Sequence, residues 1–97
     1  MSAYVIGQIS IEDKTRYETY VNAFADVFAK FNGRVLSNDE NPQLLEGDWM
    51  GDKVVLMEFP TEGEALAWIN SPEYQLIAED RKAGAETVAL MVKGFKP

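Results

Sequence analysis

Neither cysteine nor histidine occurs among the 97 residues, and each absence removes a class of chemistry. Disulfides, iron–sulfur clusters, thiolate or imidazole zinc sites and every Ser-His or Cys-His nucleophilic pair are excluded. Carboxylates, phenols, amines, guanidinium groups and water remain. Positive charge is also scarce, with nine Lys and Arg against sixteen Asp and Glu and a net charge of -7. Such a surface repels phosphate backbones and anionic bilayers, so neither nucleic acid nor membrane is an expected partner. No apolar run approaches the roughly 20 residues that cross a bilayer, and Met1-Ser2-Ala3 opens no signal-like stretch, so the expected location is the cytoplasm. The clustered acids, Asp39-Glu40 and Asp48 with Asp52, lack calcium-loop spacing, and neither a metal nor a cofactor is expected.

What is present reads as one globular domain over residues 1–97. The chain is 46% hydrophobic and 26% charged, inside the globular range, and too short for two cores. Tyr4 to Ile9 is β-branched and aromatic and predicts a first strand. Apolar residues at Tyr17, Tyr20, Val21, Phe24, Val27, Phe28 and Phe31 follow helical spacing, with Asp13 as N-cap and Asn32-Gly33 as the stop. Arg34-Val35-Leu36, a polar run, and Leu44 to Trp49 predict a strand interrupted by a bulge or loop. Gly51-Asp52 then turns the chain into a buried strand, Lys53 to Phe59, closed by Pro60. Thr61-Glu62-Gly63-Glu64 has the form of a capping box for a helix through Ala65, Leu66, Trp68 and Ile69. Ser71-Pro72-Glu73 starts another, carrying Tyr74, Ile77, Ala78 and Arg81 on one face and ending near Gly84. Glu86 to Lys93 supplies the last strand. The order β-α-β-β-α-α-β is the ferredoxin-like βαββαβ arrangement of the α+β class, with its second helical leg split in two and an antiparallel four-stranded sheet.

A sheet with helices on one face and water on the other should alternate apolar and polar residues. Here both faces are apolar. Val5, Ile9, Val55, Met57 and Phe59 are expected under the helices, with Gly7 letting a helix come close. Tyr4, Ile6, Val54 and Leu56 then remain uncovered. Leaving them in water costs about 25 cal/mol per Å² relative to burial, so a second copy packing sheet against sheet is the expected partner.

Five stretches, Ala3-Tyr4-Val5-Ile6-Gly7-Gln8-Ile9, Asn32-Gly33-Arg34-Val35-Leu36, Leu45-Glu46-Gly47-Asp48-Trp49, Val54-Val55-Leu56-Met57-Glu58-Phe59-Pro60 and Ser71-Pro72-Glu73-Tyr74-Gln75, closely resemble the family called domain of unknown function 1330. The resemblance implies a dimeric α+β barrel, the superfamily that also holds cofactor-free monooxygenases, muconolactone isomerases and chlorite-dismutase-like proteins. It implies no established reaction. Carried over by position, the family's recurrent polar residues fall on Tyr17, Arg34, Glu46, Trp49, Glu58, Tyr74 and Arg81. The chain departs from the family pattern at Lys53, where arginine is commoner, and at Ile69, where an aromatic is common.

Each candidate also has a structural reading. Arg81 lies on the face of Ile77 and calls for a carboxylate or a ligand anion. Arg34 and Glu46, on the two halves of one strand, suit a hairpin salt bridge or turn anchor, Tyr17 and Tyr20 suit core positions with hydroxyls near the surface, and Trp49 suits the dimer seam. Glu58, on an apolar sheet face, is expected to have a raised pKa and to suit a general base. Two functions of different class follow. One is a homodimer binding a small apolar or aromatic metabolite in a cavity at the sheet face, with Tyr17, Arg34, Glu46, Trp49, Tyr74 and Arg81 as ligand-binding candidates. The other is a cofactor-independent monooxygenase or isomerase with Glu58 as its catalytic base.

Overall fold

The structure, a computed structural model, describes residues 1–49 and 51–95. The elements run β1 (Ala3–Ile11), α1 (Lys14–Phe28), β2 (Arg34–Asp39), β3 (Lys53–Phe59), α2 (Glu62–Ile69), α3 (Pro72–Gly84) and β4 (Ala85–Lys93). The four strands form one antiparallel sheet in the order β2-β3-β1-β4, the ferredoxin-like topology. The shortest dimension is 15 Å, room for one sheet and one helical layer, so one sheet face is left bare. Among the described residues no helix is long and apolar enough to cross a membrane.

Side-chain chemistry places each helix start. The Asp13 carboxylate accepts from the Arg16 N–H at 3.2 Å, and the Thr61 hydroxyl accepts from the Glu64 N–H at 3.1 Å. Ser71 accepts from the Tyr74 N–H at 3.1 Å and donates to the Trp68 carbonyl at 2.8 Å. It thus ties the end of α2 to the start of α3, and Pro72 stands in the first turn, where its missing N–H costs nothing. Helix α1 closes at Phe28, short of the expected Phe31, because the N–H groups of Lys30 and Phe31 turn back to the carbonyls of Val27 and Phe28.

β2 differs from its expected form. Leu44 to Trp49 is loop, and the strand instead runs through the polar residues Ser37, Asn38 and Asp39. A bulge at Leu36 shifts the register, with Val35 opposite Met57 and Ser37 opposite Leu56. The extra residue turns Asn38 to stand opposite Val55 on the helix-covered face. The far end of the loop is pinned to β1, where Asp52 donates its N–H to the Ile9 carbonyl and accepts from the Ile11 N–H, both at 2.7 Å.

Beneath the helices the expected residues are found: Val5, Ile9, Met57 and Phe59 are buried, with Trp68 and Phe59 the largest fully buried side chains. At one end of the sheet Phe59 stacks on Trp68 at 5.4 Å between centroids, and Phe28 meets both edge-on. At the other end the Gly84 carbonyl accepts from the N–H groups of Glu12 and Asp13. A Cβ at Gly84 would stand 2.6 Å from the Tyr17 nitrogen and 2.9 Å from the Asp13 carbonyl oxygen, both backbone atoms with little freedom to yield. Gly84→Ala is therefore expected to lower the urea-unfolding free energy by about 1–3 kcal/mol, the usual cost of overpacking. An unchanged midpoint would contradict this close approach.

Candidate functional site

Gly7 faces the helices between Val5 and Ile9, opposite Val55 on β3 and Ala89 on β4. No helix comes close to it: a Cβ there would meet nothing nearer than Ile9 Cδ1 at 3.9 Å and Val55 Cβ at 4.0 Å. The missing side chain instead leaves the floor of a cavity of about 160 Å³ between sheet and helices. The cavity lies on the helix-covered side of the sheet. Small residues at the centre of the inner face, spanned by helices held by close contacts at either end, make the space.

Val5, Ile9, Phe24, Val55, Met57 and Ile69 give the cavity its apolar wall. Helices supply the phenols. Tyr17 and Tyr20 lie one turn apart on α1 with ring centroids at 5.7 Å, and Tyr74 comes from the first turn of α3, packed on Trp68 at 4.4 Å. The Tyr20 and Tyr74 hydroxyls are hydrogen-bonded at 2.9 Å, buried and not near the surface as expected. Burial pushes the Tyr17 phenol up to about 12, with Arg81 pulling it down and Tyr74 and Glu40 pushing it up. Burial and the Tyr74 hydroxyl raise Tyr20 as well. Both remain neutral hydroxyls at ordinary pH.

Polar groups in this wall are underused. Three buried polar atoms lack a hydrogen-bond partner among the described residues, Trp68 Nε1, Arg81 Nε and Thr87 Oγ1, and all three belong to residues lining the cavity. Arg81 has no ion pair among the described residues, so the carboxylate partner called for by the sequence is missing. The Lys53 ammonium lies 4.8 Å from the Tyr17 ring centroid, a cation–π contact on a buried residue. Burial pushes its pKa below the usual lysine value, with Glu40 pulling it back up.

Of the residues singled out from sequence, Tyr17, Tyr74 and Arg81 meet in this cavity. The others do not. Arg34 is exposed, and its guanidinium bonds the Glu58 carboxylate at 2.6 and 2.8 Å. This is a hairpin salt bridge, as read for Arg34, because the register sets Arg34 directly across from Glu58; Glu46 lies exposed in the loop after β2 and not in a second half of the strand. Glu58 also stands opposite Tyr4 on the open face, on the side of the sheet away from the cavity. The Arg34 guanidinium, aided by the Ser2 and Tyr4 side chains, holds its carboxyl below the usual glutamate value, the reverse of the expected rise. Trp49 packs on Gly51 and, with Gln8, Ser10, Asp48, Glu86 and Val88, lines a separate surface hollow.

Lys53, Trp68, Asn38 and Thr87 were not among the sequence candidates. Lys53 was the most accessible of them, since strand alternation sets it on the same side as Val55, Met57 and Phe59. Among the described residues no group of three or more acidic side chains is arranged to hold a metal ion.

The sequence model of the family described as Domain of unknown function (DUF1330) matches residues 2–95. No curated protein sequence matches the chain. In structure it is similar to a protein of unknown function from Rhodopseudomonas palustris, with a TM-score of 0.81 and 19% identity over 99% of this chain and 84% of that one. It is also similar to a dimeric ferredoxin-like protein of unknown function from Jannaschia sp. CCS1, with a TM-score of 0.73 and 11% identity over 97% of this chain and 100% of the other. SnoaB, a cofactor-independent oxygenase from Streptomyces nogalater, has a TM-score of 0.70 and 12% identity, over 99% of this chain and 95% of its own. At these identities the likeness is one of fold.

The buried phenols give stability a definite pH dependence. Unfolded tyrosines titrate near pH 10, whereas folded Tyr17 holds its proton to about 12. In that window the unfolded state binds fewer protons than the folded one, so stability falls as pH rises. Lys53, shifted down, offsets part of this. The urea midpoint is expected to hold below about pH 9 and then to drop towards pH 12, with Tyr20→Phe flattening the drop. A midpoint that stays level through this range would contradict the burial of the phenols.

Proposed function

The chain belongs to the DUF1330 family, and from that premise we propose that it is a homodimer that binds a small apolar or aromatic metabolite in the cavity between sheet and helices. The observation that carries the reading is an apolar wall that also holds Lys53 and an Arg81 with no ion pair among the described residues. Buried polar groups are normally satisfied, each one left unpaired costing about 1–3 kcal/mol, and a bound molecule with its own polar group would recover that. Apolar walls supply affinity and a few polar atoms supply orientation, which is the usual make-up of a small-molecule site.

Self-association is supported by the other face. Val88, Leu90 and Val92 on β4 are 55%, 49% and 42% exposed, and by register they continue the surface of Ile6, Tyr4, Val54 and Leu56. Covering each such half-exposed side chain contributes about 1 kcal/mol, and one patch serves both copies of a symmetric dimer. Structural neighbours described as dimeric share the fold.

A second reading, cofactor-independent oxygenation or isomerisation, has support from the fold shared with SnoaB. Glu58 is poorly placed as its base, being ionised, paired with Arg34 and on the face away from the cavity. Retained ligand without turnover on a panel of quinols, lactones and keto acids separates binding from catalysis.

Two variants test the parts separately. Gly7→Leu fills the floor without backbone strain, and purified protein of this variant is expected to lose the small molecule that wild type retains in native mass spectrometry. Retention by both would place the ligand elsewhere. Leu90→Glu sets a charge on the open face and is expected to give a monomer by light scattering, because an unpaired buried charge costs several kcal/mol. A dimer unaffected by it would refute the sheet-to-sheet interface.

A further inference from the structure

The walls of the cavity have a polarity of their own, distinct from their being apolar or wet. Sixteen of the 97 residues are Asp or Glu and nine are Lys or Arg, yet the lining contains Lys53 and Arg81 and no acid. The polar atoms left without a partner are also biased. An indole N–H and a guanidinium N–H can only donate, and the Thr87 hydroxyl is able to donate. Tyr17 adds a further hydroxyl that keeps its proton. Glu40, the acid whose field reaches Lys53 and Tyr17, lies exposed in the loop after β2 and is not part of the wall. Two cations in apolar surroundings, with no acid in the wall beside them, are satisfied by an acceptor that arrives with the ligand.

Resting on the ligand-binding reading above, we propose that the cavity selects a monoanion: a single-ring aromatic or similarly compact apolar molecule bearing one oxyanion, held by Arg81 and Lys53 with Trp68 and Thr87 as further donors. The size is set by the space. At about 160 Å³ the cavity is close to the roughly 150 Å³ of an engineered apolar cavity that binds benzene, so a single ring fits. The chemistry of the selection is the carboxylate or phenolate oxygen. A neutral amide of the same shape brings one acceptor and two donors into a wall already rich in donors, and an ammonium brings only donors next to two cations.

Isothermal titration calorimetry on the wild-type protein at pH 7.5 with benzoate, benzamide and benzylamine tests this directly, because the three probes share a ring and differ in the polar group. Benzoate is expected to bind at least tenfold more tightly than benzamide, and benzylamine to give no heat of binding. Arg81→Met and Lys53→Met are each expected to weaken benzoate at least tenfold while leaving benzamide within twofold, with circular dichroism checking that the variants fold. The isostere comparison on wild type stands even if one variant does not. Equal affinity for benzoate and benzamide would overturn the charge selection and leave the apolar-ligand reading in place. Binding of none of the three, in protein first stripped of retained ligand by unfolding and refolding, would overturn both. Phenolate-bearing nitrophenol, binding as its anion more tightly than benzoate, would support the selection and assign the oxyanion to a phenolate source.

Discussion

Helices resting on this sheet meet almost no side chain at its centre. Gly7 on β1 and Ala89 opposite it on β4 leave the middle of the inner face low, while close contacts hold the helical layer at both ends. On one side the support is the stacked Phe59, Trp68 and Phe28 rings. On the other it is the backbone contact of Gly84 with Asp13 and Tyr17. Between two close-packed ends the layers cannot collapse onto each other without losing one of them, because protein interiors yield little and pack densely. The cavity is the consequence. Its walls then inherit whatever the inward positions of β3, α1, α2 and α3 carry, which is how Lys53, Tyr17, Trp68 and Arg81 come to share one space.

Two apolar sheet faces thus have different properties. The inner one is covered by helices, holds a half-open cavity with cations and donors in its wall, and suits a small guest. The outer one is broad and open, edged by the Arg34–Glu58 pair, and suits a second flat surface. Exposed ion pairs contribute little to stability, so that pair adds little to the fold. The proposed roles follow this division: ligand on the covered side, partner on the bare one.

Much of the architecture was legible because it depends on local chemistry. Asp13, Thr61 and Ser71 announce their helices as caps, and alternation in β1 and β3 assigns Val5, Ile9, Met57 and Phe59 to the core. The site was half legible. Tyr17, Tyr74 and Arg81 share a cavity and Arg34 makes a hairpin salt bridge, but the choice of Glu58 as its partner, and the lowered pKa that follows, depend on strand register across the β2–β3 connection, which no single segment encodes. The bulge at Leu36, which brings Asn38 to the inner face, is equally non-local. Gly7 shows the ambiguity best. A glycine in a strand permits either close approach or empty space, and only the height of the surrounding side chains decides between them.

On this reading the covered face, not the bare one, receives the small molecule. The most direct measurement is a set of intermolecular NOEs between benzoate and methyl-labelled protein in solution. The account predicts NOEs from the benzoate ring to the methyl groups of Val5, Val55 and Met57 and none to those of Ile6, Leu56 and Leu90. NOEs to Ile6, Leu56 and Leu90 instead would place the guest on the open sheet and contradict it.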